Sequence, residues 1–221
     1  MKKVVITILT LIISTASIFG QNRKDSLIVF VGEKIELKYL PEEQKELKVE
    51  RIINGKDTIY GISRSMDSKY IAKYKVLELT NGSYKQDTIE FFVFDHYGEP
   101  TFSKYKTVLL FVSYNNGKLY HEKYQYFDLY LTKDNKWASP YSSREYNHPF
   151  KDEITVVPEK IQFKEEISFS INNLLPEEIQ NWFPKPYYKI KNGKAIAIYG
   201  NYVEDLFKLK QQTILKARGI Y

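Results

Sequence analysis

The sequence predicts a mainly β chain that curls into a small antiparallel barrel, with an additional C-terminal β-hairpin and a C-terminal helix. Three observations carry this reading. Apolar residues come in short runs bounded by turn signals rather than in long helical stripes. Two of these runs, "TIEFFVF" at 88–94 and "TVLLFVSY" at 107–114, are apolar at consecutive positions, so each strand needs cover on both faces. Asn-Gly pairs at 54–55, 81–82, 116–117 and 192–193 supply tight turns between the runs. A small barrel answers the need for cover: its interior buries one face, and a helix or further sheet buries the other. Closure also hides sheet edges that would otherwise recruit other chains.

The elements follow in order. Residues 1–20 open with Lys2 and Lys3, continue through an uncharged apolar core at 4–13, and end in small polar residues before Gly20-Gln21. That is the layout of a cleaved secretory signal peptide, too short and wrongly flanked for a membrane span. An uncleaved anchor is the alternative. The address that follows is the bacterial periplasm or the exterior. The 221 residues contain no Cys, which excludes disulfides, thiolate metal sites, cysteine nucleophiles and a lipid-attached cysteine. Net charge is +6, and loss of the two leader lysines leaves +4. No Lys/Arg block stands out, so charge does not predict a nucleic-acid partner. The membrane enters only through the leader.

After the leader, "SLIVFV" and "EKIELKYL" read as one strand region, and "LKVERII" and "TIYGI" as a hairpin. In residues 71–79, Ala72, Tyr74 and Val76 share one face before Leu77 and Leu79 take over. A strand changes phase only through a bulge, which belongs near Val76-Leu77. The turn at Asn116-Gly117 leads into "KLYHEKYQYFDLYL", and Asp134-Asn135 turns toward Trp137. Residues 138–149 read as a polar loop. "EITVV", "KIQF" and "ISFSI" look strand-like, and Pro176 with two following glutamates starts a short helix. A last hairpin precedes a helix over 203–217, with Asn201 as a cap and Gly219 as the stop. The organisation expected is a leader at 1–20, a barrel over 21–137, and a loop with C-terminal strands and helices over 138–221 packed on the barrel.

The order "IVFVGEKIEL", "YKVLELTNG", "DTIEFFVF" and "VLLFVSYNNGKLY" resembles the netrin-like module, the OB-type barrel of the tissue inhibitors of metalloproteinases and of related secreted proteins. The resemblance covers about residues 26–130. It implies an OB-like barrel with a helix on its side. Where the family carries a Cys-Gly after the third strand and a Cys after the hairpin, this chain has Tyr97-Gly98 and Tyr124 or Tyr126. An aromatic contact would stand in place of the family's disulfide. The family's inhibitory N-terminal cysteine has no counterpart, since the mature chain would begin at Gln21, and no functional residue carries over.

Among the chemistry-bearing residues, the histidines are His96, His121 and His148. Asp95, His96, His121 and Glu122 would form a metal site only if two strands lay side by side; strand alternation places His121 and Glu122 on opposite faces. The plainer expectation is that His96 is a turn residue and His121 faces solvent. Ser142-Ser143 near His148 lacks a nucleophile-elbow motif, and Glu122 with Asp128 is one of many chance carboxylate pairs. No phosphate-binding glycine loop occurs, and no cofactor is implied. The remaining constellation is aromatic. Tyr120, Tyr124, Tyr126 and Tyr130 share strand parity, and Lys118 and Lys123 lie among them. Such a row offers a stacking face for sugar rings or bases, or merely covers a sheet. The expectation is an exported, non-enzymatic module binding a protein or carbohydrate ligand through Tyr120, Tyr124, Tyr126, Tyr130 and Lys123. The alternative is an exported hydrolase or metal-dependent enzyme using Asp95, His96, His121 and Glu122.

Overall fold

The computed structural model describes residues 26–41, 49–54, 57–62 and 66–221, with the backbone alone described over 49–62. The leader expected at 1–20 and the Gly55 turn position lie outside the described residues.

The first half of the chain forms strands β1 (Leu27–Leu40), β2 (Val49–Asn54), β3 (Asp57–Ile62), β4 (Ser68–Asn81), β5 (Thr88–Asp95), β6 (Thr107–Asn115) and β7 (Lys118–Asp128). β2 and β3 pair only with each other, from Val49↔Ile62 to Asn54↔Asp57. The other five make a ring in the order β1-β4-β5-β7-β6, with β6 returning to β1. Four of the five joints are antiparallel ladders. The fifth, β5 to β7, is parallel and consists of one pair, Phe92↔Tyr120. The architecture is thus OB-like: a five-stranded, partly open Greek-key barrel. Its open seam runs between β5 and β7.

β1 and β6 explain why two-faced apolar strands are needed. Phe30 of β1 and Val108, Leu110 and Val112 of β6 point into the barrel, where they meet Ala72, Tyr74, Ile89, Phe91, Val93 and Phe102. The alternate residues, Leu27, Val29 and Val31 of β1 with Leu109 and Phe111 of β6, form a second buried layer against the C-terminal helices. Full burial of each Leu- or Phe-sized side chain contributes roughly 1.5–3 kcal/mol.

The remaining chain builds the rest of the molecule. β8 (Tyr130–Leu131), β9 (Trp137–Pro140), α1 (Ser143–Tyr146), β10 (Glu159–Lys160), β11 (Ser168–Ser170), α2 (Pro176–Trp182), β12 (Tyr188–Lys191), β13 (Lys194–Ala197), β14 (Tyr199–Tyr202), α3 (Val203–Gln212) and α4 (Ile214–Ala217) follow in order. They give one sheet in the order β10-β14-β9-β8 and a smaller one, β11-β13-β12. Val203, Leu206, Leu215 and Ile220 cover the outer face of β1 and β6. Lys210 of α3 is buried, bonded to Glu145 of α1 at 2.6 Å and seated 4.7 Å from the centre of the Phe127 ring. Burial lowers the pKa of this ammonium, and Glu145 opposes that shift. Such a group is tolerated inside because it is paired.

Several local expectations hold. The register of β4 against β1 skips Leu77 between Val31↔Glu78 and Gly32↔Val76, the bulge that the change of phase requires. Asn116 and Gly117 have φ of 49° and 78°, and Asn192 and Gly193 of 51° and 69°, as a two-residue hairpin turn demands. Glu178 accepts a hydrogen bond from the Leu175 N–H at 2.8 Å and so caps the start of α2.

Others are corrected. Residues 138–140 are not loop but part of β9, paired with β14 some sixty positions later, a partner that local sequence does not reveal. "EITVV" takes no strand partner. The last helix is two, broken at Thr213, whose hydroxyl donates to the Leu209 carbonyl at 2.6 Å. Asn201 does not cap it. Its side chain accepts from the Tyr146 hydroxyl at 2.8 Å, a tertiary contact that outcompetes the local one.

Candidate functional site

β5 alternates strictly. Ile89, Phe91 and Val93 are buried inside, while Glu90, Phe92 and Phe94 point outward. Here the expectation of two covered faces fails. No helix lies over this side among the described residues, Phe92 is half-buried and Phe94 is 37% exposed. The outward rows of β4 and β7 flank it. The register sets Lys69 opposite Phe94, Ile71 opposite Phe92 and Lys73 opposite Glu90, while Tyr120 stands beside Phe92 across the seam.

The side chains meet accordingly. The Tyr120 ring lies 5.6 Å from Phe92 and 6.3 Å from Phe94, the latter pair tilted by only 21°. The Lys69 ammonium sits 4.8 Å from the centre of the Phe92 ring and 6.0 Å from that of Phe94; the Lys118 ammonium sits 5.4 Å from Phe92. Each such contact is worth about 0.5–1 kcal/mol at an exposed position. Neither ammonium has a carboxylate partner among the described residues. Next to this stack, a groove of about 580 Å³ opens between the β4–β5 and β6–β7 turns, lined by Ile71, Tyr84, Glu90, Phe92, Tyr114 and Lys118.

The tyrosine row predicted along β7 is dispersed. Between Leu110↔Tyr126 and Val112↔His121 the ladder against β6 breaks, so the four residues 122–125 bulge opposite Phe111 alone. Tyr124 takes a φ of 66° there. The bulge reverses the phase of the strand. Tyr120 therefore faces outward, whereas Tyr126 packs on Phe102 at 6.1 Å with the barrel core. Tyr130 leaves the barrel to meet Phe163 and donates to Asp128. Tyr124 stays at the surface, its ring 6.0 Å from that of the exposed Tyr97. Burial raises the Tyr126 hydroxyl to about 12.

The bulge is held from three sides. His121 Nε2 bonds the Gln125 carbonyl at 2.8 Å; since a carbonyl only accepts, Nε2 carries the proton. The Arg218 guanidinium donates to Glu122 Oε2 at 2.9 Å and to the Lys123 carbonyl at 2.7 Å. Lys123 reaches Asp67 at 2.6 Å, a bond that raises its pKa.

The Asp95, His96, His121 and Glu122 group does not converge. His121 is buried between Phe91 and Phe102, not facing solvent as expected, and burial pushes its pKa down to about 4. Glu122 turns the other way, to Arg218 and the Ser113 hydroxyl. Asp95 accepts from the Tyr97 N–H at 2.8 Å to close its turn, and His96 lies in that turn, 3.6 Å from Asp67. Among the described residues no group of three His, Asp or Glu side chains could hold a metal ion. His148 Nδ1 accepts from the Phe150 N–H, a local turn contact. Asp128 is half-buried beside Tyr130, and desolvation raises its pKa.

Phe92, Phe94 and Lys69 were missed as site residues. Their signal was present: a strand apolar on both faces for which only one helix of sufficient length is available downstream. No family model, curated protein or solved structure matches the chain.

Proposed function

We propose that this chain is an exported, non-enzymatic binding module that takes a glycan on the open face of β4, β5 and β7. One observation carries the reading: Phe92, Phe94 and Tyr120 form an aromatic surface that no helix covers among the described residues, on a barrel whose opposite wall is sealed by α3 and α4. Near-parallel rings offer a flat platform to the C–H face of a sugar ring. The flanking ammoniums suit a polar ligand better than a protein partner, since lysine is depleted from protein interface cores. β4 and β5 are the second and third strands of the ring, the face that OB-like barrels use for oligosaccharides and oligonucleotides; that part of the support is analogy of fold. The tyrosine site expected at Tyr120, Tyr124, Tyr126, Tyr130 and Lys123 reduces to Tyr120 within this reading.

The test is retention on a panel of immobilised polysaccharides. Phe94→Ala and Tyr120→Ala are expected to abolish retention while far-UV circular dichroism and the melting profile stay near those of the parent chain. Unchanged retention in both variants would overturn the proposal.

A further inference from the structure

We infer that the glycan is anionic, a polymer with carboxylates on its sugar rings, and that Lys69 and Lys118 are the groups that read those carboxylates. The inference rests on the glycan reading above. The aromatic residues divide their work. Phe92 is half-buried, and its ring carries both ammoniums, at 4.8 and 5.4 Å. It is a spine that holds two cations in place. Phe94 and Tyr120, with rings tilted by 21°, are the surface on which a sugar can lie. A ring stacked there places its substituents beside the two ammoniums.

Those ammoniums are set apart by position: both sit over one ring, Phe92. Like most basic residues of this surface, they have no carboxylate within 4 Å among the described residues. Among the described residues their positive charge meets aromatic rings, which attract a cation without neutralising it. An incoming carboxylate would complete the pairs. Sparse lysines fit isolated carboxylates on a polymer. A nucleic-acid backbone calls for a continuous basic stripe, and here Glu90, in the groove beside Lys118, interrupts the positive charge.

The experiment compares full-length protein on polygalacturonate, alginate and hyaluronate with the same backbones after methyl esterification, and with a single-stranded oligothymidylate. Retention on at least one free-acid polymer, with esterified forms bound at least about tenfold more weakly, is expected, as loss of charge-assisted contacts implies. Lys69→Gln with Lys118→Gln should weaken binding to the free acid by about tenfold or more and so remove the preference for acid over ester. Phe94→Ala should abolish both. Equal binding of acid and ester, unaffected by the lysine changes, would overturn the inference while leaving the glycan reading standing. Preference for oligothymidylate, or no binding to any of the three acids, would overturn it too. No retention on any polysaccharide, charged or neutral, would remove both. Unfolding curves of the lysine variants, which touch no buried contact, guard against misfolding as the cause.

Discussion

The two walls of the barrel start from the same kind of sequence and end differently. β1 and β6 are apolar at consecutive positions and are buried on both faces, by the barrel core on one side and by α3 and α4 on the other. β5 is also apolar at consecutive positions, yet its outer residues Phe92 and Phe94 remain accessible. The difference lies in which residues fill the second face. On β1 and β6 it is Leu27, Val29, Val31, Leu109 and Phe111, with no polar group among them. On β5 and its neighbours, aromatics alternate with Lys69, Lys73, Glu90 and Lys118. Burying those charges under a helix would cost more than the apolar area returns. An uncharged apolar second face predicts a structural lid, whereas one that mixes aromatic and charged residues predicts an open surface.

The comparison can be broken in four ways, from the largest expected effect downward. Leu206→Ala removes cover from the sealed wall and is expected to destabilise the chain by about 2–5 kcal/mol in chemical denaturation. A loss below about 1 kcal/mol would mean that α3 is dispensable cover. Next comes pH. His121 lies on the inner side of the open wall with its pKa lowered from 6.5 to about 4. Between those values the unfolded chain binds the proton and the folded chain does not, so stability rises with pH. Acidification from 6.5 to 4 should cost about 3 kcal/mol, and nothing above 6.5, and His121→Gln should flatten that part of the profile. An unchanged slope in the variant would assign the titration to another group.

Arg218→Ala frees the bulge of β7 from the C-terminal helices that seal the other wall. A loss of about 1–2 kcal/mol is expected, together with faster amide exchange at residues 122–125. Exchange unchanged there would mean that His121 and the Lys123–Asp67 pair hold the bulge without Arg218. The smallest effect on stability belongs to Phe94→Ala, under about 1 kcal/mol by denaturation, although it should remove glycan retention. A loss as large as that of Leu206→Ala would make the open face a structural one.

Much of the fold was legible because its causes are local. The Asn-Gly turns at 116–117 and 192–193 announce themselves through the need for positive φ, whereas Asn81-Gly82 lies within a longer connection after Lys75↔Thr88; the bulge at Leu77 shows through a change of apolar phase that a regular strand cannot make. The bulge at residues 122–125 was not legible. Tyr120, Tyr124 and Tyr126 keep an unbroken alternation through it, and what distorts the strand there is Arg218, about a hundred positions away, together with a His121 side chain that folds back on the Gln125 carbonyl. That is why the predicted tyrosine face came apart. The candidate site was half legible: Tyr120 and Lys118 were in view, but Phe92, Phe94 and Lys69 become neighbours of theirs only through cross-strand register.

By itself, the amino-acid sequence determined the strand-rich character, the hairpin turns, the short helix at Pro176 and the demand for two layers of cover, because periodicity and turn chemistry act over a few residues. Only the tertiary structure decided which wall received the helices, where β9 found its partner, and which aromatic and basic side chains met. Those outcomes depend on contacts between distant segments, where burial of apolar area competes with the cost of burying charge, and no local window contains both sides of that competition.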